Sequence, residues 1–291
     1  VLTPKFAESE EFGRVAERTQ YAQLIQSYPL NIAAPTDDTP FFFHMLRATD
    51  LLRPSTFQGM NDINLKAVRV LAVLLGIVTA LSAAAILLPM GLASRIRQRA
   101  SARLMIYFAA IGLAFMMIEI GQLERLIVFL GHPIYGLTVV LFVLLLASSF
   151  GSLASSKLGK WVWALPVVLL AFIFAGPIVT RQFIASSAAI RILVSIVLLF
   201  PAGFFMGMAF PVGLREADRL GGSPKAWYWA INGAFSVISS VLALAIAVFW
   251  GVTATLLAGL FAYVVALTAI TSHRDRKSTR LNSSHVALSR M

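Results

Sequence analysis

No cysteine occurs among the 291 residues, which excludes a disulfide framework, a thiol nucleophile and a thiolate metal site. Histidine is nearly as scarce: the four present are scattered without ligand spacing, and no metal site follows from them. Charge is thin too. Asp, Glu, Lys and Arg make up 13% of the chain and hydrophobic residues 58%, a balance that cannot cover a soluble surface of this size with polar groups. What the chain has instead is about seven apolar stretches of roughly 20 residues each between Val68 and Thr271, the length at which an α-helix matches the hydrocarbon thickness of a bilayer.

These stretches predict an all-α integral membrane protein with spans at 68–92, 103–130, 134–154, 162–180, 190–210, 227–250 and 253–271, the last two forming a hairpin around Gly251. The formal charge of +11 is unevenly spread. Residues 1–62 hold 5 Lys/Arg against 8 Asp/Glu (net −3), residues 63–274 hold 15 against 4 (net +11), and residues 275–291 hold 4 against 1 (net +3). The basic residues punctuate apolar spans rather than gather on one face with aromatic or amide readers, so the lipid bilayer is the expected partner and nucleic acid is not. Arg95, Arg97, Arg99 and Arg103, then Lys157 and Lys160, then Arg215, Arg219 and Lys225 fall in loops on one side, which the positive-inside rule makes cytoplasmic.

Polar groups inside the spans carry the functional signal. Ile118 to Arg125 reads IEIGQLER within the second span, and an ionised carboxylate there must face a cavity, a partner helix or its neighbours. Glu119 and Gln122 share a face at i,i+3, as do Gln122 and Arg125, so the Gln122 amide could bridge acid and base, with Glu124 pointing elsewhere. The cluster reads either as a proton or substrate site or as structural polar groups near an interface. His132, in Gly131-His132-Pro133, fits a span-ending turn, capping a helix C-terminus or meeting headgroups. Ser148, Ser152 and Ser155 with Gly151 predict close helix packing, as does the small-xxx-small pair Gly203 and Gly207. Pro201 and Pro211 predict a broken or kinked fifth span. Trp227-Tyr228-Trp229 reads as an interfacial belt, and Asn232, sharing a rough face with Ser236, Ser239 and Ser240, seeks a partner such as Glu119 or Gln122.

Ahead of the spans, residues 1–30 hold a short amphipathic helix around Glu8 to Tyr28, and Pro35 and Pro40 bracket Thr36-Asp37-Asp38-Thr39, a turn whose side chains can bond nearby backbone N–H groups. A polar connector covers 46–66. Val1 is neither an initiator Met nor the start of a signal peptide pattern, which predicts a fragment with an upstream domain missing. Asp275 to His285 (DRKSTRLNSSH) looks like one reading frame of a sequencing adapter, so 275–291 is excluded from the expected fold.

Two stretches, Pro35 to His44 (PTDDTPFFFH) and Ile111 to Ile120 (IGLAFMMIEI) with Phe129 to Pro133 (FLGHP), resemble the membrane-fused spermidine synthase-like proteins of bacteria. Gly203 to Gly213 (GFFMGMAFPVG) and Trp229 to Ala234 (WAINGA) are similar to further segments of that family. The resemblance covers most of 30–270. It implies that 1–45 is the tail of a Rossmann-like domain similar to aminopropyltransferases and class I S-adenosylmethionine-dependent methyltransferases, with Thr36, Asp37, Asp38 and Pro40 as its tail motif. It further implies that 67–274 is a multi-pass domain in the bacterial inner (cytoplasmic) membrane. Thr39 stands where the family pattern often has Arg.

S-adenosylmethionine or its decarboxylated form would belong to the missing upstream domain. No Gly-rich loop follows a strand in this chain and no catalytic acid can be assigned, so no cofactor and no catalysis are expected of the fragment itself. Its expected role is to anchor the transferase and handle a membrane-side substrate. The alternatives are a transporter-like path for a cation or polyamine past Glu119, Gln122 and Asn232, and a pure scaffold. A domain using an intracellular cofactor should be cytoplasmic, whereas the loop charges place residues 1–62 outside.

Overall fold

The computed structural model describes residues 34–41, 62–92, 101–219 and 225–288, with side chains of the terminal helical segments described from 68 to 86 and up to 270. The amphipathic helix, the Phe42-Phe43-His44 segment and most of the connector expected from the sequence lie outside these residues. So does most of the Rossmann-like tail. All named elements among the described residues are helical: α1 (Asp62–Leu92), α2 (Ala102–Leu130), α3 (Pro133–Leu158), a 3₁₀ turn (Gly159–Ala164), α4 (Leu165–Phe183), α5 (Ala188–Arg219), α6 (Lys225–Trp250) and α7 (Val252–Leu288).

The chain divides into two compact units, Val1–Ala72 and Val73–Met291. In the first, Thr36 to Thr39 close a tight turn. The Thr39 N–H donates to Thr36 O at 3.0 Å, and the two threonine hydroxyls lie 2.9 Å apart. Asp37 and Asp38 occupy the corner and Pro40 follows it.

Among the described residues, six helical stretches are long and apolar enough to cross a bilayer: Val68–Ile86, Ala102–Leu130, Pro133–Phe183, Ala188–Arg219, Lys225–Trp250 and Val252–Ile270. The third is 51 residues long because the 3₁₀ turn joins α3 to α4 without a polar break. Val140 on α3 and Phe172 on α4 nevertheless share one buried cluster with Leu126, Phe129 and Leu199. A straight helix would hold two residues so far apart in sequence roughly 48 Å from each other. The chain therefore folds back at the 3₁₀ turn.

The core of the second unit is α2, which packs against α3, α5, α6 and α7, while α3 and α4 both pack along α5. Its interface with α6 is held by a polar ladder. Asn232 Nδ2 donates to Phe108 O at 3.1 Å, Ser236 Oγ to Gly112 O at 3.3 Å, and Ser239 Oγ to Leu113 O at 2.6 Å. The α3–α5 interface is held by shape: a Cβ added at Gly207 would overlap the Ser148 backbone, and one at Gly203 would meet Ala147 Cβ at 2.9 Å. Turns at the bundle ends use left-handed glycines, Gly131 (φ 74°) after α2 and Gly251 (φ 94°) between α6 and α7, a conformation that costs other residues strain.

One expectation changes. Pro201 and Pro211 do not end the fifth span, since α5 runs unbroken through both to Arg219. Leaving the helix in lipid would expose several backbone groups, whereas each proline removes a single donor. Trp227 and Tyr228 are buried within the protein, with the Tyr228 hydroxyl accepting from the Ser101 N–H at 3.0 Å at the start of α2. The helical backbone of α7 continues to Leu288.

Candidate functional site: an intramembrane cleft

The polar residues singled out in the sequence do not converge. Gln122 is fully buried, and among the described residues neither its amide oxygen nor its amide nitrogen has a partner, so the expected bridge between Glu119 and Arg125 does not form. Arg125 is drawn the other way. Its Nη1 donates to Ile173 O on α4 at 3.3 Å and its Nη2 to Thr253 Oγ1 on α7 at 3.1 Å. Glu119 and Glu124 are half-buried without a hydrogen bond or ion pair among the described residues. Asn232 reaches neither Glu119 nor Gln122, because its amide is committed to Phe108 O, about three to four helical turns towards the other end of α2. His132 caps the start of α3 instead of the end of α2, its Nδ1 accepting from the Ile134 N–H at 3.3 Å.

What the fold does build is a cleft of about 630 Å³ where α2, α3, α5, α6 and α7 meet. Each wall follows from a local feature. The α3 wall presents Ser148, Ser149 and Ser152, small enough to let α5 approach. Both Ser148 and Ser149 turn their hydroxyls back to Leu145 O, at 3.1 and 2.7 Å. Asn232 and Ser236 come from the ladder on α6, and Tyr263 from α7. Phe115, Phe210 and Trp229 supply aromatic faces, Phe210 and Trp229 meeting edge to face at 4.5 Å. Gly207 and Pro211 both line the α5 wall. Since residue 211 lacks an N–H, the Gly207 carbonyl has lost its helical donor beside the cleft.

Among the described residues, no charged side chain lines this space. Glu119 stands one helical turn beyond Phe115 on the same side of α2, at the cleft's margin. The lining offers hydroxyl and amide groups and aromatic faces in a low-dielectric setting, but no nucleophile held by a general base. Ser155, placed on the same α3 face by sequence, lies outside the cleft and accepts from Arg215 Nη1 at 3.1 Å.

Sequence reasoning missed Tyr263, Phe210 and Trp229. The available signal was position: a tyrosine in the middle of an otherwise apolar last span sits far from the headgroup level where tyrosine is usual. The Asn232 commitment yields a prediction here. Asn232→Ala should weaken the α2–α6 contact by about 0.6–1.7 kcal/mol, measured as the loss of unfolding free energy in mixed micelles, and Ser239→Ala, which removes a second rung, should do similarly.

Fold and cleft together define a multi-pass helical membrane protein. No protein-family model, curated protein or solved structure matches the chain.

Proposed function

We propose that this chain is the membrane half of a spermidine synthase-like transferase, anchoring an upstream S-adenosylmethionine-type domain at the bacterial inner membrane and binding an amphipathic amine substrate or product in the cleft. In this reading the fold-back at the 3₁₀ turn makes seven crossings, counting α3 and α4 separately. The observation that carries the binding role is the cleft lining, in which aromatic faces suit an amine's charge and methylene chain, and hydroxyls and a proline-freed carbonyl accept its N–H groups. The transferase part rests on the sequence resemblance.

The test uses the upstream-extended gene product in detergent, titrated calorimetrically with S-adenosylmethionine, its decarboxylated form and spermidine. Binding of the decarboxylated form is expected for aminopropyl transfer, and binding of the parent compound for methyl transfer. Ser152→Phe, which puts a ring into the cleft, should weaken spermidine binding about tenfold and leave nucleotide binding intact. Nucleotide and spermidine both failing to bind would end this reading.

A transporter-like role for a cation is favoured by one observation, the unpartnered half-buried Glu119 beside Phe115. Glu119→Gln separates the two. Anchoring and substrate binding survive the change, whereas amine uptake into proteoliposomes is lost with insertion unaffected.

A further inference from the structure

A second cavity, of about 400 Å³, opens where α3 ends, the 3₁₀ turn begins and α5 leaves the apolar region. Lys157, Lys160, Arg215 and Arg219 line it against a single acid, Glu216, which leaves a net lining charge of +3. Glu216 is already occupied by Arg219 at 2.9 Å. Lys157 and Lys160 have no hydrogen-bond or ion-pair partner among the described residues. Arg215 is held in place: its Nη1 donates to Ser155 Oγ at 3.1 Å and its Nη2 to Ser155 O at 2.7 Å. Gly159 leaves room for that guanidinium, since a Cβ there would stand 3.0 Å from Nη2.

With Arg219 paired to Glu216, Lys157, Lys160 and Arg215 leave the cavity positively charged and favour an anionic occupant. The cavity's level in the membrane narrows the choice. It is floored by Val162, Val212 and Ile270 and walled by Trp163, and Trp161 and Trp163 are 56% and 43% exposed, as expected at the headgroup level. At a membrane surface, anionic lipid headgroups attract juxtamembrane lysine and arginine. We propose that this cavity binds the phosphate group of an anionic phospholipid headgroup, with Arg215 as the fixed donor and Lys157 and Lys160 closing over it. The site is separate from the cleft and does not depend on the transferase reading.

The phosphate could in principle come from lipid or from solution, and the experiment separates the two. The full chain in neutral-detergent micelles is titrated with dioleoylphosphatidylglycerol, dioleoylphosphatidylcholine or inorganic phosphate, and the unfolding midpoint is followed. Phosphatidylglycerol should raise the midpoint saturably and phosphatidylcholine should not. Lys157→Gln with Lys160→Gln should raise the half-saturating lipid concentration roughly 10- to 30-fold. Both lysines are exposed, so the variant should fold. A charge-matched control, Lys225→Gln with Arg181→Gln, removes two cations outside the cavity and should bind as the parent does. Equal weakening in both variants, or none in the first, would overturn the site. Saturation by inorganic phosphate alone would overturn the lipid as its source.

Discussion

Gly151→Ala should destabilise the bundle by about 1–3 kcal/mol, and Gly151→Leu should leave no folded α3–α5 pair. The added Cβ of the alanine variant falls well inside contact distance of the Phe204 carbonyl oxygen and its carbon. Those are backbone atoms of a packed helix, so they cannot swing aside as the end of a side chain can. Gly207→Ala meets the backbone of Ser148 in the same way. Gly203→Ala meets the fixed Ala147 Cβ at 2.9 Å, a milder overlap than at the other two glycines, and Leu144 Cδ2 at 3.2 Å, which can rotate away. The expected order of lost stability is therefore Gly151 and Gly207 first and Gly203 clearly behind. Unfolding in mixed micelles with increasing denaturing detergent, followed by tryptophan fluorescence, reads that order. A Gly203 variant as damaging as the other two would show that the crossing is looser than its geometry implies.

The same crossing shows what a sequence can reveal about such a fold. Gly203 and Gly207 announce a close approach because the requirement is local: a helix that must touch another backbone lacks side chains on that stripe. Spans announce themselves by length. The partner of a polar residue does not, since spacing along one helix says which residues share a face but not which helix faces them. Asn232 illustrates the gap, its amide finding a backbone carbonyl on α2 rather than an acid. Gln122 illustrates it again. The i,i+3 relation to Arg125 permits a bridge, yet Arg125 is claimed by groups on α4 and α7, far away in sequence. The cleft was hidden for a stronger reason: it belongs to five helices at once, and each contributes only a few unremarkable residues.

Arg125 also explains how a proline survives in the middle of α4. Pro177 has no N–H, so the carbonyl four residues earlier, that of Ile173, lacks its helical donor. In lipid that carbonyl cannot turn to water. Arg125 supplies the missing donor at 3.3 Å, and its guanidinium lies along α4 close enough that a Cβ on Gly176 would stand 3.8 Å from Nη1. Arginine suits the place because its planar fork serves two acceptors at once, Ile173 O and Thr253 Oγ1.

Two opposing effects follow from replacing Arg125 by methionine: relief of a charge held among apolar helices, and loss of the donors that satisfy α4 and α7. Capping of a proline-freed carbonyl predicts that loss wins, with Arg125→Met costing about 1–2 kcal/mol. It also predicts a coupling. In Pro177→Ala the restored N–H donates to Ile173 O, so Arg125→Met in that background should cost less, by about 0.6–1.7 kcal/mol, than in the parent. The cycle is measured by unfolding of the four proteins under one condition. If Arg125→Met stabilises the protein, charge burial outweighs capping and the account is wrong. If it destabilises equally in both backgrounds, Arg125 works through contacts other than Ile173 O and Pro177 is tolerated for some other reason.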